Sequence, residues 1–84
     1  MDLSGIRFDS HARKRMKWRR ISEEEVYLAL ESPDKVEQSI RGRMNAYKLI
    51  GNRYMKVTFK EKSGETLVMS VVEKGKGGQD EDRI

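Results

Sequence analysis

The 84-residue chain has no cysteine, one histidine, one proline and one tryptophan. Without cysteine there is neither a disulfide framework nor a thiolate metal site, and a lone histidine makes no zinc site with carboxylates at a recognisable spacing. Aromatic residues are 7% of the chain, and no stretch approaches the roughly 20 apolar residues of a membrane span. The N-terminus lacks the apolar run of a signal peptide, so cytoplasm is the expected address and no membrane partner is expected. No glycine-rich loop stands between a strand and a helix, so neither a metal nor an organic cofactor is implied. At this length one domain fits, burying only about 60 to 65 per cent of its unfolded surface, so the core is expected to be small.

Charge is what the chain has in quantity, at 38% of residues and a formal net +4. Its distribution says more than its sum. Residues 1–20 carry +5, 21–35 carry −4, 36–60 carry +5 and 61–84 carry −2. Two basic blocks separated by an acidic one form an anion-binding face if they converge, and phosphate backbones are the commonest large anion such faces meet. If they do not, they solvate a small protein.

The densest block is SHARKRMKWRRIS, with six Lys or Arg between His11 and Arg20 and no acid. Helical spacing puts His11, Arg15 and Arg19 in one column and Ala12 and Met16 in an apolar column beside it. Asp9-Ser10 caps this helix, which ends near Arg19, with Trp18 off the apolar seam. Ile6 and Phe8 alternate around Arg7 as a brief edge strand before it. Ser22 then caps a second helix, Glu25 completes a capping box and Ile21 staples onto Val26. Val26, Ala29 and Leu30 supply its buried stripe, and Ser32-Pro33 closes it.

From Val36 the apolar period becomes two. Val36, Gln38 and Ile40 read as one strand, Arg41-Gly42 as a turn, and Met44 to Ile50 as the next strand. Gly51-Asn52 and Ser63-Gly64 suit two-residue hairpin turns. Registering on those turns pairs Ala46 with Val57, Met44 with Phe59, Phe59 with Val68 and Met55 with Val72, on the face that seats the helices. The opposite face receives Arg43, Asn45, Tyr47, Leu49, Tyr54, Lys56, Thr58 and Lys60, together with Leu67, Met69 and Val71. After Glu73 the chain turns to glycine and charge, so the expected organisation is one domain over residues 1–74 and a flexible tail over 75–84. The fold class is α+β, with two helices on one face of a four- or five-stranded antiparallel sheet.

The helical segment HARKRMKWRRISEEEVYLAL resembles a small family catalogued as domain of unknown function 4258, with a pattern of His-Ala-x-x-Arg-Met-x-x-Arg-x-Ile-Ser followed by an acidic-capped helix. Here those positions are His11, Ala12, Arg15, Met16, Arg19, Ile21 and Ser22, and Arg53, Lys56 and Val57 fit the pattern further on. The resemblance spans about residues 8 to 72. In outline it is similar to the RelE/ParE/BrnT group of toxins, which implies RNA or the ribosome as target and an antitoxin-like protein as partner. That group includes ribonucleases and gyrase inhibitors, so the fold does not fix the target. Ribonucleases of this type hold RNA on the sheet with Arg, Lys and Tyr. This chain departs from them past Val72, where it has no tyrosine or histidine in the place many such toxins put a catalytic group.

Cleaving RNA through its 2′-hydroxyl needs a base, an acid and cations around the phosphate. His11 is the one side chain that titrates near neutrality without perturbation, and a helix start among cations favours its neutral form. His11 with Arg15 is therefore the candidate catalytic pair, against a local role for His11 at the helix start. Arg19, Arg43, Arg53 and Lys56 are the candidate phosphate contacts and Tyr47 and Tyr54 the candidate base platforms. Arg15 and Arg19 could equally pair with Glu23, Glu24 or Glu25, and the tyrosines could simply stabilise a hairpin. The expected function is that of a toxin-like, RNA-directed protein of the metal-independent endoribonuclease type. The alternatives are a nucleic-acid-binding module without catalysis, or a protein-interaction module using Leu67, Met69 and Val71.

Overall fold

In the computed structural model, which describes residues 5–74, the first helix starts where Asp9 takes an extended backbone and its carboxylate accepts the Ala12 amide at 2.8 Å. Such a cap is worth about 1 kcal/mol. The helix, α1 (Ser10–Arg19), stops at Arg20, which adopts a left-handed conformation with φ 58 and ψ 48. There the Ile21 amide donates back to the Met16 carbonyl at 2.8 Å and the Arg20 amide to Lys17 at 3.3 Å, a paired C-terminal closure usually built around glycine. The second helix, α2 (Glu23–Glu31), carries the full capping box: Glu25 N–H donates to Ser22 Oγ and the Ser22 amide donates to Glu25 Oε1. Its three opening glutamates complement the helix dipole.

The strands are β1 (Ile6–Phe8), β2 (Lys35–Gln38), β3 (Met44–Ile50), β4 (Arg53–Lys62) and β5 (Glu65–Lys74). They form one sheet in the order β1-β5-β4-β3-β2, in which β1 runs parallel to β5 and every other pairing is antiparallel. The fold is thus α+β with a five-stranded mixed sheet rather than a purely antiparallel one, because β1 reaches the far edge before the meander begins. Ser63 (φ 54) and Gly64 (φ 80) supply the two positive φ values of the β4–β5 turn, and Gly51 (φ 64) opens the β3–β4 turn.

Ala12 and Met16 of α1, Ile21, and Val26, Ala29 and Leu30 of α2 meet Ala46, Met55, Val57, Val68 and Val71 in one core on one face of the sheet. Full burial of side chains such as Val26, Val57 and Val68 is worth about 1.5 to 3 kcal/mol apiece. Two expectations change here. Ile40 belongs to no strand: Arg41 (φ 59) and Gly42 (φ 75) turn the chain right after Gln38, leaving Ile40 68% exposed. The pairings of Ala46 with Val57, Met44 with Phe59 and Phe59 with Val68 hold, but a bulge between Thr58 and Phe59 puts Met55 opposite Glu73 rather than Val72. The extra residue moves Val71 into the core, with no exposure, and Val72 onto the other face beside Lys56.

Candidate nucleic-acid interface

Once Ala12 and Met16 point inward, the residues at i, i+3, i+4 and i+7 from His11 must point out. His11, Lys14, Arg15 and Trp18 line a shallow concavity of about 320 Å³ on the outer surface of α1. Trp18 is 76% exposed, and the guanidinium of Arg19 lies 5.8 Å from its ring centroid. Arg13, although exposed, is tied back to the fold, 2.9 Å from Glu23 and stacked 5.0 Å over Phe8. Glu23 also accepts the Tyr27 hydroxyl at 3.2 Å, and burial followed by this bond raises the Tyr27 pKa. Lys14, Arg15, Lys17, Arg19 and Arg20 make no ion pair with any other described residue. Of the three glutamates that open α2, Glu23 is engaged by Arg13 and Glu25 by its capping box and Arg53, while Glu24 is exposed and pairs with none of these cations.

Arg53 opens β4 on the helix-bearing face. It donates from Nη2 to the carbonyls of Arg19 and Arg20 at 3.0 and 3.3 Å, and its guanidinium lies 3.5 Å from Glu25 and 3.7 Å from Glu73. Every edge of this partly buried guanidinium is engaged, joining the end of α1 to α2 and β5.

Alternation along β3 and β4 sends Tyr47, Tyr54 and Lys56 to the face that neither helix covers. Arg43, extended at φ −84 and ψ 161 just before β3, continues that phase. The Tyr47 ring lies between Tyr54, stacked at 5.9 Å and 22°, and the Lys35 ammonium at 5.5 Å. The Tyr47 hydroxyl donates to Glu37 at 2.7 Å, which with Lys35 and Asn45 holds the Glu37 carboxyl below the ordinary carboxylate value. Thr58 donates to Asn45 at 2.8 Å beside them. Further along this face, Arg7, Lys60, Lys62 and Leu67 help line a recess of about 490 Å³. Arg43, Lys56, Lys60 and Lys62 have no ion pair among the described residues.

The candidate residues therefore do not form one site. His11, Arg15 and Arg19 look outward from the helix layer, while Arg43, Tyr47, Tyr54 and Lys56 look outward from the opposite side of the sheet, and Arg53 is enclosed between helix and sheet. Lys14 and Trp18 share the helical surface and were readable from the spacing of His11 and Arg15. The recess at Lys60 and Lys62 was not, because it depends on β1 docking alongside β5. Among the described residues there is no group of three or more His, Asp or Glu that could hold a metal ion, and no helix is long and apolar enough to cross a membrane.

These features define a small α+β domain with two helices on one face of its sheet, a strongly cationic helix surface and a second cationic surface on the bare side. The chain belongs to the family described as Domain of unknown function (DUF4258), whose pattern matches residues 8–82. No curated protein and no solved structure matches it.

Proposed function

We propose that the protein binds single-stranded RNA on the outer surface of α1. The observation that carries this reading is Trp18, an indole 76% exposed at the end of a stripe whose cations Lys14, Arg15 and Arg19 have no acidic partner among the described residues. An exposed aromatic ring stacks any base, worth about 1 to 3 kcal/mol, and neighbouring cations hold the phosphates on either side. His11 adds a hydrogen-bonding ring at the head of the stripe.

A toxin-like ribonuclease of the RelE/ParE type needs a base, an acid and phosphate-holding cations around one sugar. His11 and Arg15 are neighbours on α1, but Tyr47, Tyr54 and Lys56 lie across the sheet from them. The arrangement suits holding a strand better than cutting one.

Trp18 is the only tryptophan, so its fluorescence reports binding directly. Titration with a short oligouridylate should quench it, and the affinity should fall with salt at a logarithmic slope of about −0.7 per phosphate contacted. Arg15→Ala should weaken binding and flatten that slope. Emission unchanged at low salt, with a folded protein, would end this reading; a 2′,3′-cyclic product lost in His11→Ala would replace it with the nuclease.

A further inference from the structure

We infer that the outer edge of β2 pairs with the same edge of a second copy of this chain, joining two five-stranded sheets into one across a two-fold axis. β2 (Lys35–Gln38) is the last strand of the sheet, and no other described strand pairs with its open side. The Ser39 amide donates inward, to the Arg43 carbonyl at 2.8 Å. The alternation of an antiparallel pair therefore turns the N–H and C=O groups of Gln38 and Val36 outward. An edge of this kind takes up another strand unless its side chains prevent it.

Here the side chains favour pairing, and in one register. With Val36 facing the copy's Val36, the two exchange both backbone hydrogen bonds, and Lys35 of each chain stands opposite Glu37 of the other. Sliding the strands by two residues in either direction sets Glu37 beside Glu37 or Lys35 beside Lys35, and a slide by one puts outward groups against inward ones. Within the chain Lys35 and Glu37 lie 3.7 Å apart with their side chains open to solvent, so both charges can also face across the edge. Val36 registers with Ala46 of the core yet is 44% exposed, because α1 packs over β5 and α2 over β3 and β4. Pairing covers it with the copy's valine on the same, helix-bearing side. The axis stands perpendicular to the joined sheet, so both helix layers lie on one side and the outer surfaces of both α1 helices face the same way. What that does for strand binding rests on the α1 reading above; the pairing itself does not.

Four residues a side make a weak contact, so association is measured from micromolar to millimolar concentration. Sedimentation equilibrium of the full chain, without RNA, should show the mass rising from one chain toward two. Lys35→Glu and Glu37→Lys should each stay single, since either change sets like charges opposite one another. An equimolar mixture of the two should associate as the wild type does, because opposite charges then face each other at both positions. Val36→Pro should also stay single while its circular dichroism matches the wild type, for it removes only an outward amide that the ladder to β3 does not use. Should either charge variant unfold, Val36→Pro carries the comparison alone. A wild-type chain that stays single at millimolar concentration overturns the pairing. A dimer that persists in Val36→Pro, or folded charge variants that remain single when mixed, overturns it as well.

Discussion

The guanidinium of Arg53 donates to the backbone carbonyl oxygen of Arg19 at 3.0 Å. The last turn of a helix leaves its carbonyls without partners, and here a side chain from the start of β4 fills that role while flanking Glu25 and Glu73. Arg53→Ala should cost about 2 kcal/mol, the scale of charge-assisted hydrogen bonds at a partly enclosed site. For a domain of this size that lowers the midpoint of thermal unfolding by about 10 °C. Arg53→Lys should recover less than half, because a point charge cannot reach both carbonyls and both carboxylates. Calorimetry on the three proteins decides it, and equal midpoints would remove the latch.

Arg20 closes α1 in the left-handed region, φ 58, where a side chain costs about 1 to 2 kcal/mol. Glycine relieves that strain but loses up to about 1 kcal/mol through its freer unfolded state. Arg20→Gly is therefore expected to stabilise the protein by about 0.5 kcal/mol. The Ile21-to-Met16 and Arg53-to-Arg20 hydrogen bonds use backbone atoms and survive the change. A lower denaturant midpoint for the glycine variant would contradict the strain.

Local chemistry was legible wherever two neighbouring residues decide it. Ser22 with Glu25 announces the start of α2, Gly51-Asn52 and Ser63-Gly64 the two hairpin turns, and the first of these turns fixes the pairing of Ala46 with Val57. What the sequence hides is sidedness. The run Leu67-Val68-Met69-Ser70-Val71-Val72 is apolar in both phases, so nothing in it marks where a bulge resets the alternation. Arg53 looks like any other surface cation until the fold brings Arg19, Glu25 and Glu73 around it. The two basic blocks carry no signal that one rides on a helix above the sheet and the other lies beneath it.

The bulge makes two adjacent valines respond oppositely. Val71 has no exposure, whereas Val72 is half-buried on the bare face opposite Lys56. Val71→Lys forces an ammonium into the apolar core and should cost more than about 4 kcal/mol, enough to unfold a small domain. Val72→Lys should change stability by less than about 1 kcal/mol. Without the bulge the order would reverse, so circular dichroism of the two variants reads the register directly.

Tyr47 and Glu37 give the domain a pH signature. The Tyr47 hydroxyl bond, more than the neighbouring Lys35, lowers the Glu37 pKa from its ordinary value. A carboxyl lowered by folding adds stability at pH values above its unfolded pKa, and that contribution disappears as pH falls through the lowered, folded value. The difference in unfolding midpoint between wild type and Tyr47→Phe should therefore be constant from neutrality down to the carboxylate range and shrink below it. Tyr47→Phe should also move the Glu37 titration upward when its side-chain carboxyl carbon is followed by NMR. The ring is retained, so the stack on Tyr54 at 5.9 Å is kept and the hydroxyl is the only group removed. Parallel stability curves for the two proteins through the acid range, with an unmoved Glu37 titration, would show that the hydroxyl does not hold the carboxylate.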